Sequence, residues 1–212
     1  APAAPTIDPV SDDNLVGIVD APNATYTLTG TADEGSNVFV SVNGLVAQAT
    51  VTGTTWSLDI AATPGTELEQ DTIFAYAEDA AGNQSPNSAT VVVTADLTNP
   101  PQPNFDALNE TIDAAGITTV VISGSGEPNT TVVLESTLFD APIEVAVGTD
   151  SNWSTGELDL TGAPDAVYQI TATSVDEAGN TSPTATAERV VDVSAPAAPT
   201  IDPVSDDNLV GI

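Results

Sequence analysis

Residues 1–18, APAAPTIDPVSDDNLVGI, return unchanged as residues 195–212. Inside that long-range identity lies a looser one. GTADEGSNVFV at 30–40 pairs with GSGEPNTTVVL at 124–134, and TTWS ending at Ser57 with SNWS ending at Ser154. AEDAAGNQSP at 77–86 pairs with SVDEAGNTSP at 174–183, and VTADLTNPPQP at 93–103 with RVVDVSAPAAP at 189–199. The common period is about 97 residues, with small insertions. Self-similarity at a fixed period means that each copy is one folding unit set beside its neighbours. The chain therefore divides into a domain at 1–98, a diverged copy at 99–194, and the opening strand of a third repeat at 195–212. Two parents fit: one that repeats a two-domain block, and one in which near-identical copies flank a divergent one.

Within each period the apolar residues alternate. Val38, Val40 and Val42 share one face, as do Trp56, Leu58 and Ile60, which is the signature of half-buried strands. Seven strands are predicted in the first unit, near 5–9, 24–31, 37–42, 45–51, 55–60, 71–78 and 89–95. The second unit repeats them near 103–107, 117–124, 130–136, 143–148, 152–159, 166–175 and 185–192. No stretch of helical period reaches three turns. This predicts an all-β chain of tandem immunoglobulin-like Greek-key sandwiches, with Trp56 and Trp153 filling the space between sheets. Gly82 and Gly179 supply positive φ in the turn before the last strand. Asn83 and Asn180 beside them tolerate the left-handed region and close Asx-type bonds. Phe74 and Tyr76 are expected on an outer face where the second unit has Thr171 and Thr173.

The sequence has no Cys, so no disulfide clamps the sheets, and no His or Met. One basic residue, Arg189, faces 31 acidic ones, for a net charge of −30. Phosphate backbones and anionic membrane surfaces are repelled, which excludes nucleic acid as a main partner. No apolar run approaches membrane-spanning length. The sequence lacks an initiator Met, a basic leader and an apolar leader core, so it reads as an internal fragment. Two carboxylates about 5 Å apart repel by roughly 3 kcal/mol at an effective dielectric near 20. Clusters of them call for protons or cations.

The turn built on Asp79, Gly82, Asn83, Ser85 and Pro86 is followed by Asp96, Thr98, Pro100 and Pro103. Its second copy uses Asp176, Gly179, Asn180, Ser182 and Pro183, then Asp192, Ser194, Pro196 and Pro199. This A-x-D-x-A-G-N-x-S turn with D-x-[ST]-x-P-x-x-P resembles the bacterial Ig-like repeats of giant surface adhesins, including RTX adhesins and biofilm-associated proteins. The resemblance implies a long extender stiffened by calcium at its domain junctions. It also implies secretion to the bacterial cell surface, with outer-membrane anchoring through parts outside this stretch, and a monomeric extended rod whose partners are its own neighbouring repeats. The glycine-rich calcium nonapeptides and EF-hand loops that would mark other calcium sites are absent.

Ig-like topology then places the ligands. The lower pole of the first domain, with Asp8, Asp12, Asp13, Asp20, Glu67, Glu69 and Asp96, faces the upper pole of the second, with Glu127, Asp176, Glu177 and Asn180. Calcium takes six to eight hard oxygen ligands, and with no His or Cys, zinc and copper have little to hold. Asp79 is expected to face a preceding domain. Asp192, Asp106, Glu110 and Asp113 are expected to face a following one. Asp202, Asp206 and Asp207 copy Asp8, Asp12 and Asp13. Without His, Lys, Cys or a second Arg, most acid–base and nucleophilic designs lack parts, so no enzyme is expected. The other reading is an Ig-like module that binds glycan or host surface through its loops or the Phe74–Tyr76 face.

Overall fold

The computed structural model describes residues 1–21, 23–63, 68–108 and 110–202. Every regular element among them is a strand. The first sandwich contains β1 (Leu15–Val16), β2 (Thr25–Thr31), β3 (Asn37–Val42), β4 (Leu45–Gln48), β5 (Thr50–Thr52), β6 (Thr55–Ala61), β7 (Glu69–Glu78) and β8 (Val91–Ala95). Its sheets run β1-β8-β7-β3-β4 and β2-β6-β5. The second contains β9 (Asn104–Phe105), β10 (Ser123–Ser125), β11 (Thr131–Glu135), β12 (Ile143–Ala146), β13 (Asn152–Ser154), β14 (Ala166–Val175) and β15 (Ala185–Val191). Here the sheets are β12-β11-β14-β15 and β13-β10-β9.

Alternation builds both cores. In β2, Tyr26, Leu28 and Gly30 point inward and the threonines between them point out, the two-residue period of a strand wet on one side. In β7, Ile73, Ala75 and Ala77 do the same. Their partners Val38 and Val40 close one core, while Ile122, Val132, Leu134 and Ile170 fill the other. Tyr26 is buried and donates to an Asp71 carboxylate oxygen at 2.6 Å. Burial, and then that bond, push its phenol well above the ordinary range.

Each tryptophan sits over a glycine. A Cβ on Gly30 would lie 2.0 Å from the Thr6 carbonyl oxygen and 2.7 Å from the Trp56 ring. On Gly124 it would lie 1.9 Å from the Asn104 carbonyl oxygen and 2.6 Å from the Trp153 ring. Trp56 Nε1 donates to the Thr6 carbonyl at 3.1 Å, fastening the entering segment to the core. Among the described residues Trp153 Nε1 has no such partner. Its ring instead meets Phe105 edge-on, with centroids 5.7 Å apart.

The structure revises several expected strands. Residues 5–9 form no ladder of their own. The Thr6 and Asp8 amides still donate to the Thr31 and Thr29 carbonyls, but the return bond of a ladder is diverted: the Thr31 amide donates to the Thr6 hydroxyl, and the Thr6 carbonyl accepts from Trp56 Nε1. The chain then crosses to the other sheet, where β1 pairs in parallel with β8. The strand expected over 45–51 breaks at Ala49, so that β4 and β5 lie in different sheets. In the second sandwich 117–124 and 152–159 shrink to β10 and β13. A positive φ at Gly156 interrupts the latter, and only the Val120–Leu158 bridge continues it. Gly82 and Gly179 have φ of 82° and 79°, whereas Asn83 and Asn180 are not left-handed.

On the outer face, Tyr76 stacks on Phe39 with ring centroids 5.3 Å apart. The neighbouring edge strand β4 is exposed along its length, with Leu45 at 81%.

Gly30→Ala and Gly124→Ala should each destabilise their own sandwich by about 3 kcal/mol, because the new methyl meets backbone and ring rather than a yielding side chain. Gly116→Ala, whose Cβ would meet only Asp113 at 3.6 Å, should cost less than about 1 kcal/mol. Urea unfolding followed by tryptophan fluorescence measures this, and equal losses at all three glycines would refute the packing account.

Candidate functional site at the domain junction

The exit of the first sandwich is fixed by backbone pairing. The Asp96 amide donates to the Val16 carbonyl at 2.9 Å, which carries the β1–β8 pairing to the pole. The Asp96 carboxylate then accepts from the Thr98 amide (3.1 Å) and the Thr98 hydroxyl (2.7 Å), and this turns the chain into Pro100 and Pro101. Proline in that position restricts the linker to extended backbone.

The facing loop of the second sandwich is closed on itself. Gly179 N donates to the Asp176 carbonyl, and Asn180 N to the Asp176 carboxylate at 2.8 Å. The Asn180 amide group then reaches across the junction. Its Oδ1 accepts from the Ile18 amide at 2.7 Å, and its Nδ2 donates both to the Asp96 carbonyl and to the Asp176 carboxylate, each at 2.9 Å. Asn180 is 2% exposed. Its counterpart Asn83 makes the same bonds to Asp79 and stays exposed. The loop motif is thus common to both sandwiches, and docking is what buries it.

Beside this contact lies a cavity of about 150 Å³ lined by Asp96, Thr98, Asn99, Pro100, Glu127 and Asp176. Asp96 from the first sandwich and Glu127 and Asp176 from the second, three of the carboxylates expected at this junction, line it together. All are half-buried. The polar donor atoms on offer are oxygens of carboxylate, hydroxyl, amide and carbonyl groups, a set that suits a hard cation. Among the described residues, no group of three acidic side chains stands in metal-holding geometry. A larger cavity of about 600 Å³ opens in the second sandwich between residues 137–143 and 158–164, away from these acids.

The other expected ligands lie elsewhere. Asp8 sits mid-segment, accepting from the Thr29 hydroxyl at 3.0 Å beside Trp56. Asp13 caps Leu15 and Ser11, and the Leu15 amide and then the Ser11 hydroxyl hold its carboxyl below the usual range. Asp12 and Glu69 are exposed. Asp20 accepts from the Gly17 amide at 3.3 Å. Glu177 is exposed and outside the cavity. Asp79 holds its own loop and lies 3.8 Å from the terminal amine. Asp106 accepts from the Ser123 hydroxyl, and Asp113 caps Ala115 and Gly116. Glu110, Asp192 and Asp202 are exposed. Glu67, Asp206 and Asp207 lie outside the described residues, as does 203–212 of the third-repeat opening.

Thr98 was legible only as a motif residue, and Asn99 and Gly17 carried no sequence signal of a junction role. Asp165 was missed altogether. It accepts from the Val193 amide at 2.7 Å, and together with the Ser194 side chain this contact ties down the exit of the second sandwich. The position before β7 that matches it holds Leu68, so the repeat gave no twin to flag it. The Phe74–Tyr76 face that would carry a binding role is partly covered by Phe39 and Tyr76 stacking on each other.

No family model matches the chain, and no curated protein matches it. Solved structures do resemble it. The fibronectin(III)-like modules of CbhA from Clostridium thermocellum align with a TM-score of 0.57 at 13% identity, over 89% of this chain and 94% of that one. This likeness fixes the fold as tandem Ig/fibronectin-like sandwiches. A Ca2+-stabilized adhesin with which an Antarctic bacterium binds ice aligns at 23% identity and TM-score 0.46, over 98% of this chain and 54% of that one. A tetra-tandem repeat from the extending region of a large adhesion protein aligns at 22% and 0.40, over 92% and 50%. The chain thus spans about half the length of these two adhesin structures. No helix among the described residues is long and apolar enough to cross a membrane.

The Ser194 side chain first, and then the Val193 amide, hold the Asp165 carboxyl below the ordinary 3.8. A depressed folded value gives a contact that is complete above the unfolded value and is lost as pH falls through the folded one. The Val193 amide resonance should therefore titrate with a midpoint under 3.8. A midpoint at or above that value in an NMR titration would remove the contact.

Proposed function

We propose that this chain is a spacer of a secreted bacterial surface adhesin, a run of sandwiches whose junctions bind calcium and are stiffened by it. The observation that carries the proposal is the acid-lined cavity at the joint, where Asp96 from one sandwich faces Glu127 and Asp176 from the next. Facing carboxylates repel, and water is the weakest remedy for that repulsion in a half-buried cleft. Calcium accepts six to eight oxygens in adaptable geometry, and Thr98, Asn99 and the linker carbonyls are on hand to complete the set. Drawing the three acids onto one ion would join the end of β8 to the facing loops of the second sandwich. The repeat itself supports a load-bearing role, because the same turn recurs at 79–83 and 176–180. A chain with no His, Cys or Lys, and acids recurring once per repeat, fits scaffolding better than catalysis.

Calcium at about 100 times its dissociation constant should stabilise the chain by about 2.7 kcal/mol, which raises the melting temperature by several degrees. Asp96→Asn combined with Asp176→Asn should abolish that rise. Small-angle scattering should show a longer maximum dimension with calcium than with chelator. A melting temperature and dimension that ignore calcium would overturn the proposal.

A further inference from the structure

Two lower poles are on view, and they differ at the residue that decides how closely a neighbour can approach. In the first sandwich the β1 segment passes Val16 and turns at Gly17. A Cβ there would lie 2.0 Å from the Ala178 carbonyl oxygen and 3.1 Å from Asn180 Oδ1. Only the bare backbone of glycine lets the loop at 176–180 come near enough for the Ile18 amide to reach Asn180. Backbone pairing identifies the matching residue in the second sandwich. Asp96 N bonds the Val16 carbonyl, and Asp192 N bonds the Ile112 carbonyl. Ile112 is therefore the counterpart of Val16, and Asp113 stands where Gly17 stands. Asp113 has a side chain, and that side chain is committed to the Ala115 and Gly116 amides. The exits differ too: Asp96 holds Thr98 in one, while Asp165 holds Val193 in the other.

We infer that Gly17, Ile18 and Asn180 form a close clasp at the joint below the first sandwich, and that the lower pole of the second sandwich, with Asp113 in place of Gly17, is not shaped for the same clasp. Gly17 and Asn180 are positioning residues. They bring the two sandwiches into contact by direct hydrogen bonds that contain no metal, and calcium in the neighbouring cavity would stiffen the joint further. This rests on the spacer reading but not on its calcium.

The test uses the full chain in chelator. Gly17→Asp gives the first pole the second pole's residue, and Asn180→Ala removes the bridging amide. Each should speed Ile18 amide exchange by at least about tenfold and change the interdomain orientation in residual dipolar couplings. Tryptophan fluorescence should report both cores intact, and Asn83→Ala should leave the joint unchanged. If Gly17→Asp does not fold, Asn180→Ala alone decides. Unchanged Ile18 exchange and orientation in the variants would overturn the clasp. A wild type blind to calcium would overturn only the calcium reading and leave this result standing.

Discussion

With no cysteine in the chain, each sandwich is clamped where an indole ring lies over a glycine of the strand beside it and against the carbonyl of the segment entering the domain. Gly30 with Trp56 and Gly124 with Trp153 share this crowding, and Trp56 alone adds a hydrogen bond from its Nε1 to the entering carbonyl. The contact brings three pieces of chain together at one point, the entering segment, β2 or β10, and β6 or β13. Everything else in the core is ordinary alternation of small β-branched and aliphatic side chains, and such a core tolerates drift. The glycine does not. A fold can diverge across most of its length, as these two copies have, while this three-way contact persists.

Once the sandwiches are closed, the chain's excess of negative charge has to be managed at the ends, where successive copies face one another. The junction does so in two ways. Asn180, a neutral residue with one acceptor and one donor, satisfies an amide of one sandwich and a carbonyl of the same sandwich while held by its own loop's aspartate. Next to it the acids stand around a small cavity rather than in contact. Neutral bonds set the distance and leave room for the charged groups.

The fold class was legible because a period of two, repeated about every 97 residues, survives changes in individual side chains. Asp96, Glu127 and Asp176 could be placed at one junction because Ig-like topology tells which loops share a pole. What stayed hidden depends on distances between backbones. Gly17 reads as one turn glycine among many, since nothing in sequence shows a carbonyl 2.0 Å from its missing methyl. Asn180 reads like Asn83, and only docking separates them. Asp165 has no copy, so the repeat, which was the strongest guide, pointed away from it. The entering strand falls short of the expected 5–9 because two side chains, the Thr6 hydroxyl and the Trp56 indole, take the Thr31 amide and the Thr6 carbonyl that would have closed the ladder.

The parallel pairing of β1 with β8 has a mechanical meaning. The chain enters the first sandwich at the pole opposite the one it leaves by. Tension between the ends therefore pulls these two parallel strands in opposite directions along their length. The bonds from Thr94 N to Asn14 O and from Asp96 N to Val16 O are then loaded in shear, together, instead of peeling apart one after another. A latch two residues long can in this way resist a pull that would unzip a longer antiparallel hairpin.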